Sequence, residues 1–414
     1  MPFLSLLDDR AKPKGSRDPL GFEMVWSNLG RRLVGNLTTI TSSLDNFAVA
    51  LIGFAWAHEL VANYDGEDRL VRLQEAFLRY EQFAAHARFC AGGQEILGIT
   101  RVRKRAGGEA AIPVGRSADA QILSDQLSYG LWGLYSSALR DTGLVEGDER
   151  QPSAEGLDLV ERFAAVAPEV KDHFIAVMQK DQTLEREYCT EVGRKYLAMI
   201  RDQQCSSELG LRMLRGKGRG NDLQAELLEA THTLLSEPGQ ATTQMELQDF
   251  VRELLTNAES HALRQRLNDI QATERVLVAA NNLFHFLQRS ENWSLDGVAE
   301  HFEEQGVDHS HLPERLPGGA IPRRDQLERI RECLAVEAIA EAADAVLELN
   351  HAVMQDRGGG AWVRRDSDGR IHVKVPLETG RLRTNEDLRT LWDYDYFLAS
   401  FLAVAQRHRA LTHG

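Results

Sequence analysis

The sequence predicts a mainly α-helical protein: a multi-helix bundle with small β-hairpins, namely a wing near residues 96–115 and a C-terminal hairpin near 361–376. Three observations predict this. Ala, Leu, Glu, Arg and Gln are plentiful while β-branched runs are scarce, a composition that favours helices. Apolar residues recur at helical spacing through most of the chain, as in Leu70, Leu73, Phe77, Tyr80 and Phe83. Strand signals concentrate in two glycine-punctuated stretches, 96–115 and 361–376.

At 414 residues the chain exceeds what one core commonly serves. Two linker-like stretches, 146–156 and 307–324, suggest the partition: 1–150, an N-terminal helical region with the wing; 151–306, a central helical bundle; and 321–414, a helix–hairpin–helix module.

The elements follow in order. Asp18-Pro19 forces a turn or extended chain, and a helix is expected from about Gly21 to Leu33, carrying Phe22, Val25, Trp26 and Leu29. A second helix is expected from Ser43 to Asn63. Its most apolar part, Phe47 to Ala57, spans only about 16 Å as helix, roughly half a bilayer core, so it reads as a buried helix. A third covers about Asp68 to Cys90. The segment ILGITRVRKRAGGEAAIPVG, 96–115, alternates around Ile99 and Val102, breaks at Gly107-Gly108, and resumes at Ile112 and Val114. It reads as the wing, and a winged-helix arrangement would suit it. The aromatic-rich stretch from Gln121 to Val145 is the organising element. Tyr129, Trp132 and Tyr135 are its expected core anchors, and Gly130 and Gly133 mark close backbone approach or a bend.

Beyond the first linker, helices are expected at 157–166, 168–180, 182–202, 206–215, 221–236, 243–270 and 272–289. Thr243, with Glu246 three residues later, forms a capping pattern. Ser294 is positioned to cap a helix within Asn292–Gly306. A long helix from Arg324 to Gln355 should end at Gly358-Gly359-Gly360. Asp368-Gly369 is a hairpin turn pair, and a last helix is expected from Asn385 to His408.

The chemistry is sparse. The net charge of −14 argues against a surface that binds nucleic acid everywhere. Against that background two basic clusters stand out as candidate nucleic-acid contacts: Arg101, Arg103, Lys104 and Arg105; and Arg212, Arg215, Lys217 and Arg219, the latter interleaved with Gly216, Gly218 and Gly220. Either cluster could equally be a solvated loop or meet an acidic surface. No GxxxxGK[ST], GxSxG, HExxH or Rossmann fingerprint is present. The segment holding His301, Glu303, Glu304, Asp308, His309 and His311 includes an HxH pair but not a defined zinc spacing. No metal or other cofactor is therefore assigned. Arg79 and His86 form an R-x6-H pair on one expected helix. It resembles the R-x4–6-H motif of HEPN-type helical ribonucleases, but Tyr80 stands where a polar residue is usual. The N-terminus MPFLSLLDDRAKPKG has acids where a signal peptide has a basic start. The four scattered cysteines contain no CxxC pair. A cytoplasmic protein with reduced, buried thiols is expected.

Four strings resemble an uncharacterised family of bacterial proteins associated with anti-phage defence islands: GSRDPLGFE (Gly15 to Glu23), VGNLTT (Val34 to Thr39), ILSDQLSYGLWGLYSSALRDTGLV (Ile122 to Val145) and NHAVMQDRGGGAWV (Asn350 to Val363). The resemblance implies one subunit of a multi-gene defence system and supplies no catalytic residues. The leading expectation is a non-catalytic adaptor or sensor that touches nucleic acid through the basic clusters and partners other protein subunits. The alternatives are a metal-independent ribonuclease using Arg79 and His86, or a pure protein scaffold.

Overall fold

Asp18 fixes the entry to the first helix. Its carboxylate accepts from the Phe22 and Glu23 amides at 2.8 and 3.1 Å, satisfying donors that a helix start leaves open. The helix itself is α1 (Glu23–Arg31). The structure is a computed structural model that describes residues 18–66, 68–108, 111–216, 222–236, 245–377 and 382–413. It is mainly helical with short antiparallel strand pairs.

The chain continues through α2 (Leu44–Leu60) and α3 (Asp68–Cys90). Ser43 caps α2 by accepting from the Asn46 amide. Helix α2 is apolar on all sides and accordingly buried on all sides.

The expected wing is replaced by a helix and a single strand, α4 (Ile99–Gly108) and β1 (Ala111–Val114). Val102 and Ala106 are one helical turn apart, and Val102 buries against Ala85, Ile96 and Ile122. That apolar stripe outweighs the local alternation. Among the described residues no winged-helix hairpin forms, because β1 pairs with a distant strand.

The aromatic stretch becomes three short helices, α5 (Gln126–Tyr129), α6 (Leu131–Leu134) and α7 (Ser136–Asp141). Trp132 and Tyr135 are buried anchors, whereas Tyr129 is 60% exposed and anchors nothing. Gly130 is where the backbone is approached closely: a Cβ there would stand 2.6 Å from both Glu81 carboxylate oxygens.

The ribbon β2 (Val145–Glu146) and β3 (Gln151–Pro152) occupies the first expected linker and leads to α8 (Ala154–Val166), capped by Ser153. Then come α9 (Glu169–Met178), β4 (Gln182–Glu185), α10 (Arg186–Ile200), α11 (Gln203–Arg215) and α12 (Asp222–Ser236). Strand β4 pairs antiparallel with β1, with Ala111 opposite Glu185 and Val114 opposite Gln182. Next are α13 (Leu247–Asn257), α14 (His261–Leu287) and α15 (Leu295–Glu303), the last capped by Ser294. The Thr243 capping pattern lies outside the described residues.

Helices α16 (Arg324–Ala335) and α17 (Ile339–Asp356) replace the single long helix, broken at Glu337 with φ +57°. The C-terminal hairpin forms as expected from β5 (Val363–Arg365) and β6 (Ile371–Val373), with Gly369 at φ +79° in its turn. The final expected helix divides into α18 (Asn385–Thr390) and α19 (Leu398–His413).

Two compact units result. One is the described part of Met1–Leu33 with Met245–Tyr396; the other is Val34–Gln244 with Phe397–Gly414. This differs from the expected division 1–150, 151–306 and 321–414. Both expected linkers lie inside a unit. In the second of them Leu316 and Ile321 are buried, so that stretch packs. In the first unit α14 packs against α1, α13, α16 and α17.

The second unit is built on α3, which packs against α2, α9 and α10. A Cβ on Gly193 in α10 would stand 2.0 Å from the Ala87 carbonyl oxygen of α3. Gly193→Ala gains about 1 kcal/mol of helix propensity, but backbone overlap forces the helices apart at about 3 kcal/mol. The expected outcome is net loss of stability in urea titration. A more stable variant would show that α10 does not approach α3 this closely.

Candidate nucleic-acid interface

Helix α4 carries four bases and no acid. Its inward stripe, Val102 and Ala106, turns the bases outward. Arg101, Arg103 and Lys104 are exposed, and Arg105 is half-buried. Arg105 donates to the Ala120 carbonyl at 2.9 Å, and Arg101 lies 3.5 Å from that of Gln121. These side chains staple the helix to the loop that leads into α5. Among the described residues no carboxylate pairs with Arg103 or Lys104.

Arg103 also borders a groove of about 540 Å³, lined with Phe89, Gly92, Gly93, Gln94 and Ile99. The groove lies where α3 ends. Gly92 turns the chain at φ +92°, and the Gly93 amide donates to the Arg88 carbonyl at 2.7 Å. Arg88 is buried and reaches the Asn46 side chain at 2.8 Å and the Glu95 carbonyl at 2.5 Å. A buried guanidinium therefore braces the turn from inside. Its two terminal nitrogens are both used in this way, which offsets part of the cost of burying the charge, while Nε has no partner among the described residues.

The second basic cluster is placed differently. Arg212 and Arg215 sit in the last turn of α11 and line a cleft of about 700 Å³ with Glu146, Glu155 and Glu208. Arg212 pairs with Glu155 and lies 3.8 Å from Glu208, whose other oxygen takes Arg162 at 2.7 Å. The cleft mixes three carboxylates with two guanidiniums, and exposed Arg215 has no ion-pair partner among the described residues. Lys217 and Arg219 lie outside the described residues. Helix α4 packs chiefly on α3 and β1, and α11 on α2, α8, α12 and α19. The described parts of the two clusters thus rest on different neighbours.

Arg79 and His86 do not converge on an open site. Arg79 is buried in a ring of alternating charge: Asp181 at 2.7 Å, Glu75 at 3.6 Å, and Arg116 closing it at 3.0 Å from Glu75 and 3.5 Å from Asp181. His86 is fully buried, and neither ring nitrogen has a hydrogen-bond partner among the described residues. Burial, with the nearby Arg105 charge, lowers its pKa to about 4, so it is neutral at pH 7. Seven residues along a helix separate the pair by about 10 Å.

The histidine-rich segment is also dispersed. His301 lies against Trp293, His309 stacks on Phe302, and Asp308 pairs with Arg389. Among the described residues no three His, Cys, Asp or Glu side chains gather as a metal-binding group. All four cysteines are free; Cys189 and Cys205 are buried, while Cys90 and Cys333 are only half-buried. No described helix is long and apolar enough to cross a membrane.

Compared with protein-family models, curated proteins and solved structures, the chain matches none of them. The resemblance strings serve structure where they are described. Arg357 pairs with Asp18 at 3.0 Å, and Asn350 donates to the Pro19 carbonyl at 2.9 Å, so the first and last strings meet. Asn36 of the second donates to the Met213 carbonyl, and Tyr135 of the third to that of Ile40.

Phe89, Gln94 and the Gly92–Gly93 turn were missed as site residues. The signal was present: an aromatic in the last turn of a helix, then a glycine pair. Glu81, whose carboxylate accepts from the Leu131 amide at 2.7 Å and Gln126 at 2.9 Å, had no such signal.

Proposed function

We propose that the chain is a non-catalytic adaptor or sensor subunit of a multi-protein bacterial anti-phage defence complex, contacting nucleic acid through α4. One observation carries the reading: an acid-free helix in an acidic protein presents Arg103 and Lys104 to solvent, with no carboxylate partner among the described residues. Outward cations on a packed helix suit phosphate contact. The defence context rests on the sequence resemblance. Arg215 is a subsidiary contact, and Arg212 serves the cleft's own ion pairs.

The test is charge reversal. Arg103→Glu with Lys104→Glu is expected to weaken binding of a fluorescent oligonucleotide tenfold or more. It should also lower the salt slope by about 2, one for each lost phosphate contact. Binding that ignores both salt and charge reversal would eliminate the nucleic-acid reading. Loss of a protein complex with oligonucleotide affinity intact would favour the scaffold.

A further inference from the structure

We propose that the groove beside α4 is a slot for one unpaired base of a single-stranded nucleic acid. Phe89 forms its stacking surface, Gln94 meets the base edge, and Arg103 and Lys104 hold the flanking phosphates. This rests on the nucleic-acid reading of α4 and names its ligand class.

The groove's lining carries the argument. Phe89 is half-buried: it packs against the cluster of Ala85, Ile96, Val102 and Ile122, and still contributes surface to the groove. A ring held from behind and open in front is a stacking platform, and every base has a π-face to offer it. Gln94 is exposed, and its side-chain amide makes no hydrogen bond among the described residues. A free carboxamide offers a donor and an acceptor together, the pattern that matches a base edge. Gly92 borders open space, since a Cβ there would meet nothing within 4 Å. Its left-handed φ also makes any larger residue strained.

The volume of about 540 Å³ falls within the range of small-ligand sites. Arg103 lines the groove and Lys104 follows it on the same helix, so cationic charge borders the slot. In a duplex the base faces are stacked and unavailable, so the arrangement selects single strands. Bracing by Arg88 pre-forms the turn, which reduces the ordering that binding would demand.

The experiment is fluorescence anisotropy of the full chain with labelled twelve-nucleotide single strands of DNA and RNA, and with a duplex of the same DNA. The single strands are expected to bind at least tenfold tighter than the duplex. Phe89→Leu, which keeps apolar packing but removes the π-face, should weaken single-strand binding by roughly tenfold, the order of one stacking contact. It should leave duplex binding and the salt slope unchanged. Phe89→Tyr should retain wild-type affinity, and Gln94→Ala should flatten the preference among homopolymers of different bases. Thermal melts show whether each variant is folded; should Phe89→Leu fail to fold, Gln94→Ala and the strand-versus-duplex comparison still decide. Wild-type binding by folded Phe89→Leu, with binding lost on reversal of Arg103 and Lys104, removes the slot and keeps the phosphate contact. Unchanged binding in both variants, or none by the wild type, removes both.

Discussion

Phe174→Ala is expected to cost the second unit about 3–5 kcal/mol, the range for deleting a buried aromatic ring. Phe174 is fully buried in α9 and touches four aromatic partners. Phe83 and Tyr196 lie at 4.5 Å between centroids, Tyr80 at 5.2 Å and Trp56 at 5.5 Å. These rings come from α2, α3 and α10, so one side chain ties three helices together. Collapse around the vacancy is restricted, because the Tyr80 hydroxyl is held by the Val49 carbonyl at 2.9 Å and by Tyr196 at 2.6 Å. Urea unfolding followed by circular dichroism measures the effect, with Phe174→Leu as the volume-sparing control. A two-unit chain need not unfold in one step, so the loss is read on the transition that Phe174→Leu also moves. A loss below about 1 kcal/mol would mean the ring is not the centre of this core.

The second large effect is on pH dependence in the first unit. Glu274 of α14 is buried and accepts from the Asp393 and Tyr394 amides and from the Tyr396 hydroxyl, the last at 2.8 Å. Burial pushes its pKa up to about 8; the three hydrogen bonds oppose the shift without cancelling it. The folded protein therefore holds a proton that the unfolded chain releases near pH 4.5. The resulting stability is fully present below pH 4.5 and is lost as pH rises through about 8.

Glu274→Gln removes this titration while keeping the shape. Its oxygen can accept the two amides, and its NH2 can donate to a rotated Tyr396 hydroxyl. The variant is expected to match the wild type near pH 5 and to exceed it at pH 9. The gap is on the order of 4 kcal/mol, at about 1.4 kcal/mol per unit of pKa separation. Buried Glu81, raised to about 7, and His86, lowered to about 4, contribute equally to both. A difference in melting temperature that stays constant from pH 5 to 9 would refute the assignment.

Glu274 also shows where sequence reading stops. Local periodicity carries a helix from Asn385 to His408, yet the chain leaves helical geometry between α18 and α19. There the Asp393 and Tyr394 amides turn to a carboxylate some 120 residues earlier, and Tyr396 takes φ +51°. A held non-glycine residue in the left-handed region costs about 1–3 kcal/mol, sustained only by such surrounding contacts. The candidate interface divides in the same way. Four bases within five residues are legible as a cluster. That they ride on a helix, with Arg103 and Lys104 exposed and a groove beside them, is not. The apolar stripe of that helix has meaning only against Ala85, Ile96 and Ile122.

What the sequence determined by itself is local. Composition and the 3.6-residue period set the helical class and delimit α3 from Asp68 to Cys90. Short side chains place the caps at Ser43 and Ser294, since a cap needs only an oxygen three residues from an amide. Gly369 turns the C-terminal hairpin because only a few residues accept its left-handed φ readily. Tertiary structure decided what depends on distant partners. Strand β1 exists because β4 lies some 70 residues away, and Arg79 is withdrawn from solvent because Asp181 and Glu75 meet it. The fates of Arg212, His86 and Glu274 follow the same rule. Burial and charge pairing are set by neighbours in space, whose energies exceed any local preference of the residues themselves.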